Sequence, residues 1–143
     1  MYQYLLSIAL GYLIGSFPTA YLLVKSKVRL DIRETGSGNV GSMNTYDVTG
    51  SKLLGFVVLA IDVLKGIAAV LVSAFFFGDT YASMGAAGLA AVVGHGYSPW
   101  IGFKGGRGLA TAAGALFVLG WFIVVAWCAA WSFLYFYSKS IHF

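Results

Sequence analysis

The stretch that decides the fold is residues 53–78, LLGFVVLAIDVLKGIAAVLVSAFFFG. It is apolar except for a few small residues and two charges, Asp62 and Lys65, and a helix needs about 20 largely apolar residues to cross the core of a bilayer. An unpaired charge in the bilayer costs at least about 2.5 kcal/mol, and residues three positions apart share one helix face. We therefore expect Asp62 and Lys65 to pair or to face a polar interior. A structural ion pair is slightly favoured over a direct role in catalysis.

The rest of the chain has the same character. Of its 143 residues, 59% are hydrophobic and 10% are charged, whereas a soluble domain is about a quarter charged. Further apolar runs cover residues 4–24, 81–103 and 108–138. The last run would be about 45 Å long as one helix, against a hydrocarbon core of about 30 Å, so we expect it to split near residues 114–120. The sequence thus predicts an all-α, polytopic integral membrane bundle with about five transmembrane helices, forming a single domain over residues 1–143.

The positions of the basic residues predict the topology. They lie between the first and second runs, between the third and fourth runs, and after the last run: Lys25, Lys27, Arg29, Arg33 and Lys52; Lys104 and Arg107; and Lys139. With five spans and the N-terminus outside, all of them fall on the cytoplasmic side, as the positive-inside rule favours. The turn at Asp79 carries no basic residue and falls outside. The net charge of +4 therefore indicates topology and contact with anionic headgroups or substrates, and we expect no nucleic-acid partner.

Two glycine-rich segments, GSGNVGSMN at residues 36–44 and KGGRG at residues 104–108, fall on the same predicted face. Glycine permits positive φ angles and lets successive N–H groups converge on one anion. Ser37, Asn39 and Asn44 add side-chain donors, and Thr111 lies near the start of a helix, where the dipole favours an anion. The shared chemistry is phosphate binding. A tight connection or a topology signal explains KGGRG equally well, whereas the first segment favours function.

Few other residues indicate chemistry. His95 precedes KGGRG near the end of the third run, and a hydrogen-bonded structural role is favoured there over a general base. The single Cys128 excludes an internal disulfide within the chain. No His, Cys or carboxylate cluster has the spacing of metal ligands, so no metal site is expected.

These motifs resemble those of a known family, the bacterial acyl-phosphate-dependent glycerol-3-phosphate acyltransferases. GSGNVGSMN is similar to the family's first motif, DVLKG at residues 62–66 to its second-span signature, and GHGYSPWIGFKGGRGLAT at residues 94–111 to its second motif. The three signatures occur in the family's order, and YLIGSFPTAYL at residues 12–22 is also similar. The resemblance covers residues 11–111 and is specific, and it thins to a general likeness after Thr111.

The resemblance implies a reaction without metal or other cofactor. A fatty acyl phosphate would donate its acyl group to the 1-hydroxyl of glycerol 3-phosphate, giving lysophosphatidate for phospholipid synthesis. The enzyme would be a multi-pass protein of the bacterial plasma membrane, in contact with membrane lipids, with its active face in the cytoplasm. The oligomeric state stays open.

The resemblance also assigns residues. The acyl phosphate would be surrounded by the first motif, and the phosphate of glycerol 3-phosphate would be held by the second. The catalytic candidates are Ser37 and Lys104, and the candidates for a supporting role are Asp62, Lys65 and His95. The substrate-binding candidates are Gly36, Gly38, Asn39, Gly41, Asn44, Gly105, Gly106, Arg107, Gly108 and Thr111.

The chain departs from the family pattern in two ways. Asp47 stands where the first motif usually has an arginine, so either Arg33 or Lys52 supplies the cation or the activity has changed. The family usually has seven spans and a third motif with Asn, His and Glu, which indicates that this chain is a fragment, a divergent short homologue or half of an assembly. Two other functions stay open: a small transporter or channel in which Asp62 and Lys65 line a polar path, and an inactive lipid-binding homologue.

Overall fold

The computed structural model describes the backbone of residues 2–141 and the side chains of residues 2–138, so the side chain of Lys139 lies outside the described residues. No strand occurs within residues 2–141, which confirms the all-helical class. In chain order the helices are α1 (Tyr2–Gly15), α2 (Thr19–Val28), α3 (Ser42–Thr49), α4 (Lys52–Phe77), α5 (Tyr81–Gly96), a short 3-10 helix (Pro99–Ile101) and α6 (Leu109–Ile141).

Among the described residues, three segments are long and apolar enough to cross a membrane by length and composition, whereas the sequence predicted about five. They are Tyr2–Val28, Lys52–Phe77 and Leu109–Ser138. The expected third span, α5, has 16 residues and is therefore only about 24 Å long at 1.5 Å per residue. The expected fourth and fifth spans form one helix with a kink. The kink is at Gly120 (φ 176°, ψ 95°), at the edge of the region where a split was expected.

The break between α1 and α2 is caused by Pro18. Proline lacks the N–H that a helix needs and disfavours helical geometry at the residue before it. At this break the carbonyl of Phe17 accepts a turn hydrogen bond from the N–H of Thr19 at 3.0 Å and a second one from Lys65 Nζ on α4 at 3.0 Å. The break in the first span thus provides a polar ligand for a charge in the second.

The helices pack in close pairs through glycine. A Cβ on Gly11 of α1 would collide with the backbone of Ala87 on α5, and one on Gly66 of α4 with the carbonyl oxygen of Thr111 on α6. Gly114 of α6 makes the reciprocal approach to Val63 of α4. Small residues of this kind let membrane helices approach closely. The two pairs, α1 with α5 and α4 with α6, are joined by contacts of α5 with α4 and α6.

A small apolar cluster fixes the connection between α2 and α3, which contains the first glycine-rich segment. Its buried members come from α2, that connection, α4 and the 3-10 helix: Ala20, Val24, Ile32, Val40, Val58 and Ile101. Because Ile32 and Val40 enter the cluster at either end of the connection, the polar residues between them are held against the bundle.

Candidate active site

The buried side chain of Asn44 holds the first glycine-rich loop, residues 29–41, through hydrogen bonds to its backbone. Its side chain is 1% exposed, and its Nδ2 donates to the carbonyls of Ile32, Thr35 and Asn39 at 3.2, 3.0 and 3.0 Å. Its Oδ1 accepts from the N–H of Ser37 at 2.9 Å. The amide has two donors and one carbonyl oxygen, so these bonds use both donors. Asn44 was expected to bind substrate, but its side chain is committed to shaping the loop.

The turn that Asn44 supports needs glycine. Gly36 and Gly38 have φ angles of 63° and 72°, in the left-handed region that side chains disfavour. A Cβ on Gly36 would also collide with Oδ1 of Asn44. The positive φ angles that glycine permits are therefore found at both positions.

Arg33 ties the first loop to the second. Its Nε donates to Asp31 Oδ1 at 2.9 Å, and its Nη1 donates to the carbonyl of Ile101 at 2.8 Å. Hydrogen bonding from Arg33 lowers the pKa of Asp31 to about 2, and Asp31 in turn raises the pKa of Arg33. The guanidinium also lies over the ring of Tyr21, 5.0 Å from its centroid.

The second loop, residues 97–108, is held by Ser16, directly after α1, and by the carbonyls at the end of α5. The hydroxyl of Ser98 donates to the carbonyl of Ser16 at 2.6 Å, and Trp100 Nε1 donates to the hydroxyl of Ser16 at 2.9 Å. The N–H groups of Gly105 and Gly106 donate to the carbonyls of Gly96 and His95. These two N–H groups were expected to face an anion, but they are used within the fold.

The two loops meet at one cavity of about 170 Å³. The first turns of α3 and α6 both reach its wall, through Ser42 and Met43 and through Leu109 and Ala110. The first N–H groups of a helix have no acceptor within it, and the helix dipole adds positive potential there. The remaining lining residues are Asn39, Gly41, Asp62, His95, Arg107 and Gly108. Arg107 is the only cation among the lining residues, so the cavity suits an anion such as phosphate.

A buried polar cluster of Asp62, Lys65 and His95 lies at the inner side of this cavity. The three side chains are 3%, 7% and 9% exposed. Lys65 Nζ lies 2.8 Å from Asp62 Oδ1 and 3.2 Å from His95 Nδ1, and His95 Nδ1 lies 3.6 Å from Asp62 Oδ1. The expected pairing of Asp62 with Lys65 is confirmed. His95 joins the pair, which the sequence did not predict because it comes from another helix.

The other candidates divide between the cavity and its surroundings. Ser37 and Lys104, the catalytic candidates, are exposed and do not line the cavity. Thr111 is 0% exposed, and its Oγ1 has no hydrogen-bond partner within the described residues. Ser42, Met43, Leu109 and Ala110 line the cavity but were not singled out from the sequence. Ser42 and Met43 lie within the first glycine-rich segment, and Leu109 and Ala110 directly follow the second. The helix starts after Gly41 and Gly108 would have pointed to them.

The missing arginine at Asp47 is not replaced by the residues expected. Asp47 is exposed, and Arg33 is bound to Asp31 and the Ile101 carbonyl. Lys52 borders a separate apolar groove between α3 and α4. Arg107 provides the cation of the cavity. Within the described residues, no group of three His, Cys, Asp or Glu side chains could hold a metal ion.

A known family, described as glycerol-3-phosphate acyltransferase, matches residues 5–143 of this chain. The chain belongs to this family. A glycerol-3-phosphate acyltransferase of Mesorhizobium japonicum is 41% identical over 96% of this chain and 70% of its own length. That of Gluconobacter oxydans is 42% identical over 90% of this chain and 61% of its own length.

Solved structures agree with the family assignment. PlsY, described as an integral membrane glycerol 3-phosphate acyltransferase, has a glycerol 3-phosphate form that is 35% identical, with a TM-score of 0.80 over 94% of this chain and 66% of its own. Its lysophosphatidic acid form is 32% identical, with a TM-score of 0.75 over 94% of this chain and 65% of its own. The chain is therefore a member of an integral membrane family, and it spans roughly three fifths to two thirds of the length of most of these relatives.

Proposed function

We propose that this chain transfers a fatty acyl group from acyl phosphate to the 1-hydroxyl of glycerol 3-phosphate, giving lysophosphatidate. The observation that carries the proposal is that the two glycine-rich loops meet at one cavity, walled by two helix N-termini and Arg107. Both substrates carry phosphate, and lysophosphatidate combines a phosphate with an acyl chain. The names of the family relatives and the two solved forms support the choice of acceptor.

The reaction requires little beyond positioning and charge stabilisation. The oxygen of the 1-hydroxyl attacks the acyl carbonyl carbon, the bond from that carbon to the phosphate oxygen breaks, and phosphate leaves with the electron pair. A phosphate oxygen takes the hydroxyl proton, so no strong protein base is needed. Arg107 and the N–H groups at the starts of α3 and α6 stabilise the departing phosphate electrostatically. Holding both substrates in one place supplies the proximity contribution.

Ser37 and Lys104 fit this proposal at the rim rather than inside the cavity. Both are exposed and lie on the two loops whose neighbouring residues line it. We propose that they contact the part of the substrate that projects from the cavity. We further propose that this face is cytoplasmic and that the membrane is the bacterial plasma membrane, because seven of the chain's basic residues lie at or near this end of the bundle.

The test is an acylation assay on the purified protein in lipid nanodiscs. Given palmitoyl phosphate and labelled glycerol 3-phosphate, the wild-type chain should produce labelled lysophosphatidate. Arg107→Met should lower kcat by about 100-fold or more, as expected when a preorganised charge contact is removed, and Ser37→Ala and Lys104→Ala should also lower it.

Lys27→Met is the matched control, because Lys27 is an exposed cation at the same end of the bundle but outside the cavity. It should keep wild-type activity. The absence of product from folded wild-type protein would overturn the proposal, and so would consumption of acyl phosphate that was equal in wild type and Arg107→Met.

A further inference from the structure

The hydrogen bonds of Lys65 define the tautomer of the His95 ring. An ammonium has three N–H donors and no acceptor, and Lys65 Nζ has three acceptors within reach: Asp62 Oδ1 at 2.8 Å, the Phe17 carbonyl at 3.0 Å and His95 Nδ1 at 3.2 Å. Since the ammonium can only donate, Nδ1 must accept. The proton of a neutral His95 ring therefore belongs on Nε2.

The charges of the cluster favour this neutral state. Asp62 and Lys65 compensate each other at 2.8 Å. A proton on Nδ1 would place a second positive group 3.2 Å from Lys65 Nζ and remove the lone pair that accepts its hydrogen bond. The charged groups that face His95 are Asp62 and Lys65 on α4, together with Arg107 on the second loop, which lines the same cavity.

His95 lines the cavity, and the Nε2 edge of its ring packs closely against Gly106. A Cβ on Gly106 would collide with Nε2 and would lie 2.5 Å from the Val40 carbonyl. Only glycine at position 106 therefore leaves room for the ring edge. His95 lines the cavity although its side chain is 9% exposed, and among the described residues Nε2 has no hydrogen-bond partner.

We propose that His95 donates a hydrogen bond from Nε2–H to a phosphate oxygen of the substrate in the cavity, and that Asp62 and Lys65 are positioning residues that hold it in this tautomer. The proposal rests on the proposed function for the identity of the substrate. It makes His95 a neutral donor rather than a general base, because a protonated Nε2 has no lone pair to accept a proton.

Two substitutions separate donor from base. A glutamine amide can place an N–H near the position of Nε2, whereas leucine cannot. His95→Leu should lower kcat/KM by about 100-fold, and His95→Gln should restore at least a tenth of wild-type kcat/KM. The shape of the pH profile of His95→Gln between about pH 6 and 9 should match wild type, because a donor does not exchange a proton during the reaction.

Ser73→Ala is the control for burial, since Ser73 is a fully buried side chain of α4 that bonds Ser7 at 2.9 Å, away from the cavity. It should leave kcat/KM within about threefold of wild type. Equal losses of kcat/KM in His95→Gln and His95→Leu would overturn the donor role. So would a pH profile of His95→Gln that lacks a basic or acidic limb present in the wild-type profile.

The tautomer can be measured without any enzymatic activity. The chain has two histidines, so ¹⁵N-histidine labelling in a His142→Gln background leaves one resonance set, from His95. The wild-type spectrum should show protonated Nε2 and unprotonated Nδ1 at neutral pH, and Lys65→Met should lose this preference. Protonated Nδ1 in the wild-type cluster would overturn the proposal, even if the acylation assay succeeds. If the spectrum shows the expected tautomer but the protein makes no lysophosphatidate, the proposed reaction is wrong and the tautomer assignment stands.

Discussion

At the scale of single residues, Asp31 shows how one carboxylate aligns two loops. Arg33 reaches the Ile101 carbonyl at 2.8 Å while Asp31 holds the other side of its guanidinium. Both side chains are about a quarter exposed, so solvent weakens their attraction but does not remove it. The low pKa of Asp31, about 2, means that the folded state favours the ionised carboxylate.

This linkage predicts a stability change with a defined sign. Because the pKa of Asp31 in the folded protein lies below its ordinary value of 3.8, the ionised carboxylate stabilises the fold. This stabilisation is complete above about pH 4 and is lost as the pH falls toward 2. Asp31→Asn should destabilise the protein by about 1–2 kcal/mol at pH 7, and the gap from wild type should narrow below about pH 3. Thermal unfolding in detergent, followed by tryptophan fluorescence, measures both.

Glu34→Gln is the matched control, with the same charge change on an exposed neighbour in the same loop. It should shift Tm much less than Asp31→Asn does. A gap between wild type and Asp31→Asn that stays constant down to pH 2.5 would contradict the linkage.

At the scale of helices, the crossing of α4 and α6 places one wall of the cavity. Gly66 lies against the carbonyl of Thr111, which directly follows the residues of α6 that line the cavity, and against the backbone nitrogen of Ala115, about one turn further on. A side chain at this position must push the first turn of α6 away from α4. Packing at this crossing and the anion site are therefore linked.

Gly66→Ala tests that link. The added methyl group would meet rigid backbone, so we expect destabilisation of about 1–3 kcal/mol together with weaker binding of glycerol 3-phosphate. Gly85→Ala on α5 is the control, because its new Cβ would meet nothing within 4 Å and alanine is favoured over glycine in a helix by about 1 kcal/mol. Tm and calorimetric titration with glycerol 3-phosphate give the two readouts. Unchanged affinity in a destabilised Gly66→Ala would show that the crossing does not set the site.

At the scale of the whole molecule, the sequence pattern predicted features that lie within one helix, but not the contacts between helices and loops. The apolar runs predicted the long helices but not α3, which lies in the polar segment between the first two runs. The spacing of Asp62 and Lys65 predicted their pairing, since neighbours on a helix face are fixed by helix geometry. The arrival of His95 at that pair depends on the packing of α5 against α4. Hydrogen bonding likewise depends on the folded loops, which is why Asn44 and the N–H groups of Gly105 and Gly106 were assigned to substrate and are found in the framework.

The distribution of charge across the molecule predicts its orientation. Arg33 and Arg107 lie at the end of the bundle where the two loops meet, whereas the turn between α4 and α5 carries Asp79. In a Cys128→Ser background, Glu34→Cys and Lys104→Cys should react with a membrane-impermeant maleimide in inside-out vesicles, and Asp79→Cys in right-side-out spheroplasts. All three positions are exposed, so failure to react reports sidedness rather than burial. If all three cysteines were labelled from the opposite side to that expected, only the orientation would be wrong, because both loops would still lie on the same membrane face. Labelling of Glu34→Cys and Lys104→Cys from opposite sides would overturn the cavity itself, since two loops on opposite membrane faces cannot hold one phosphate.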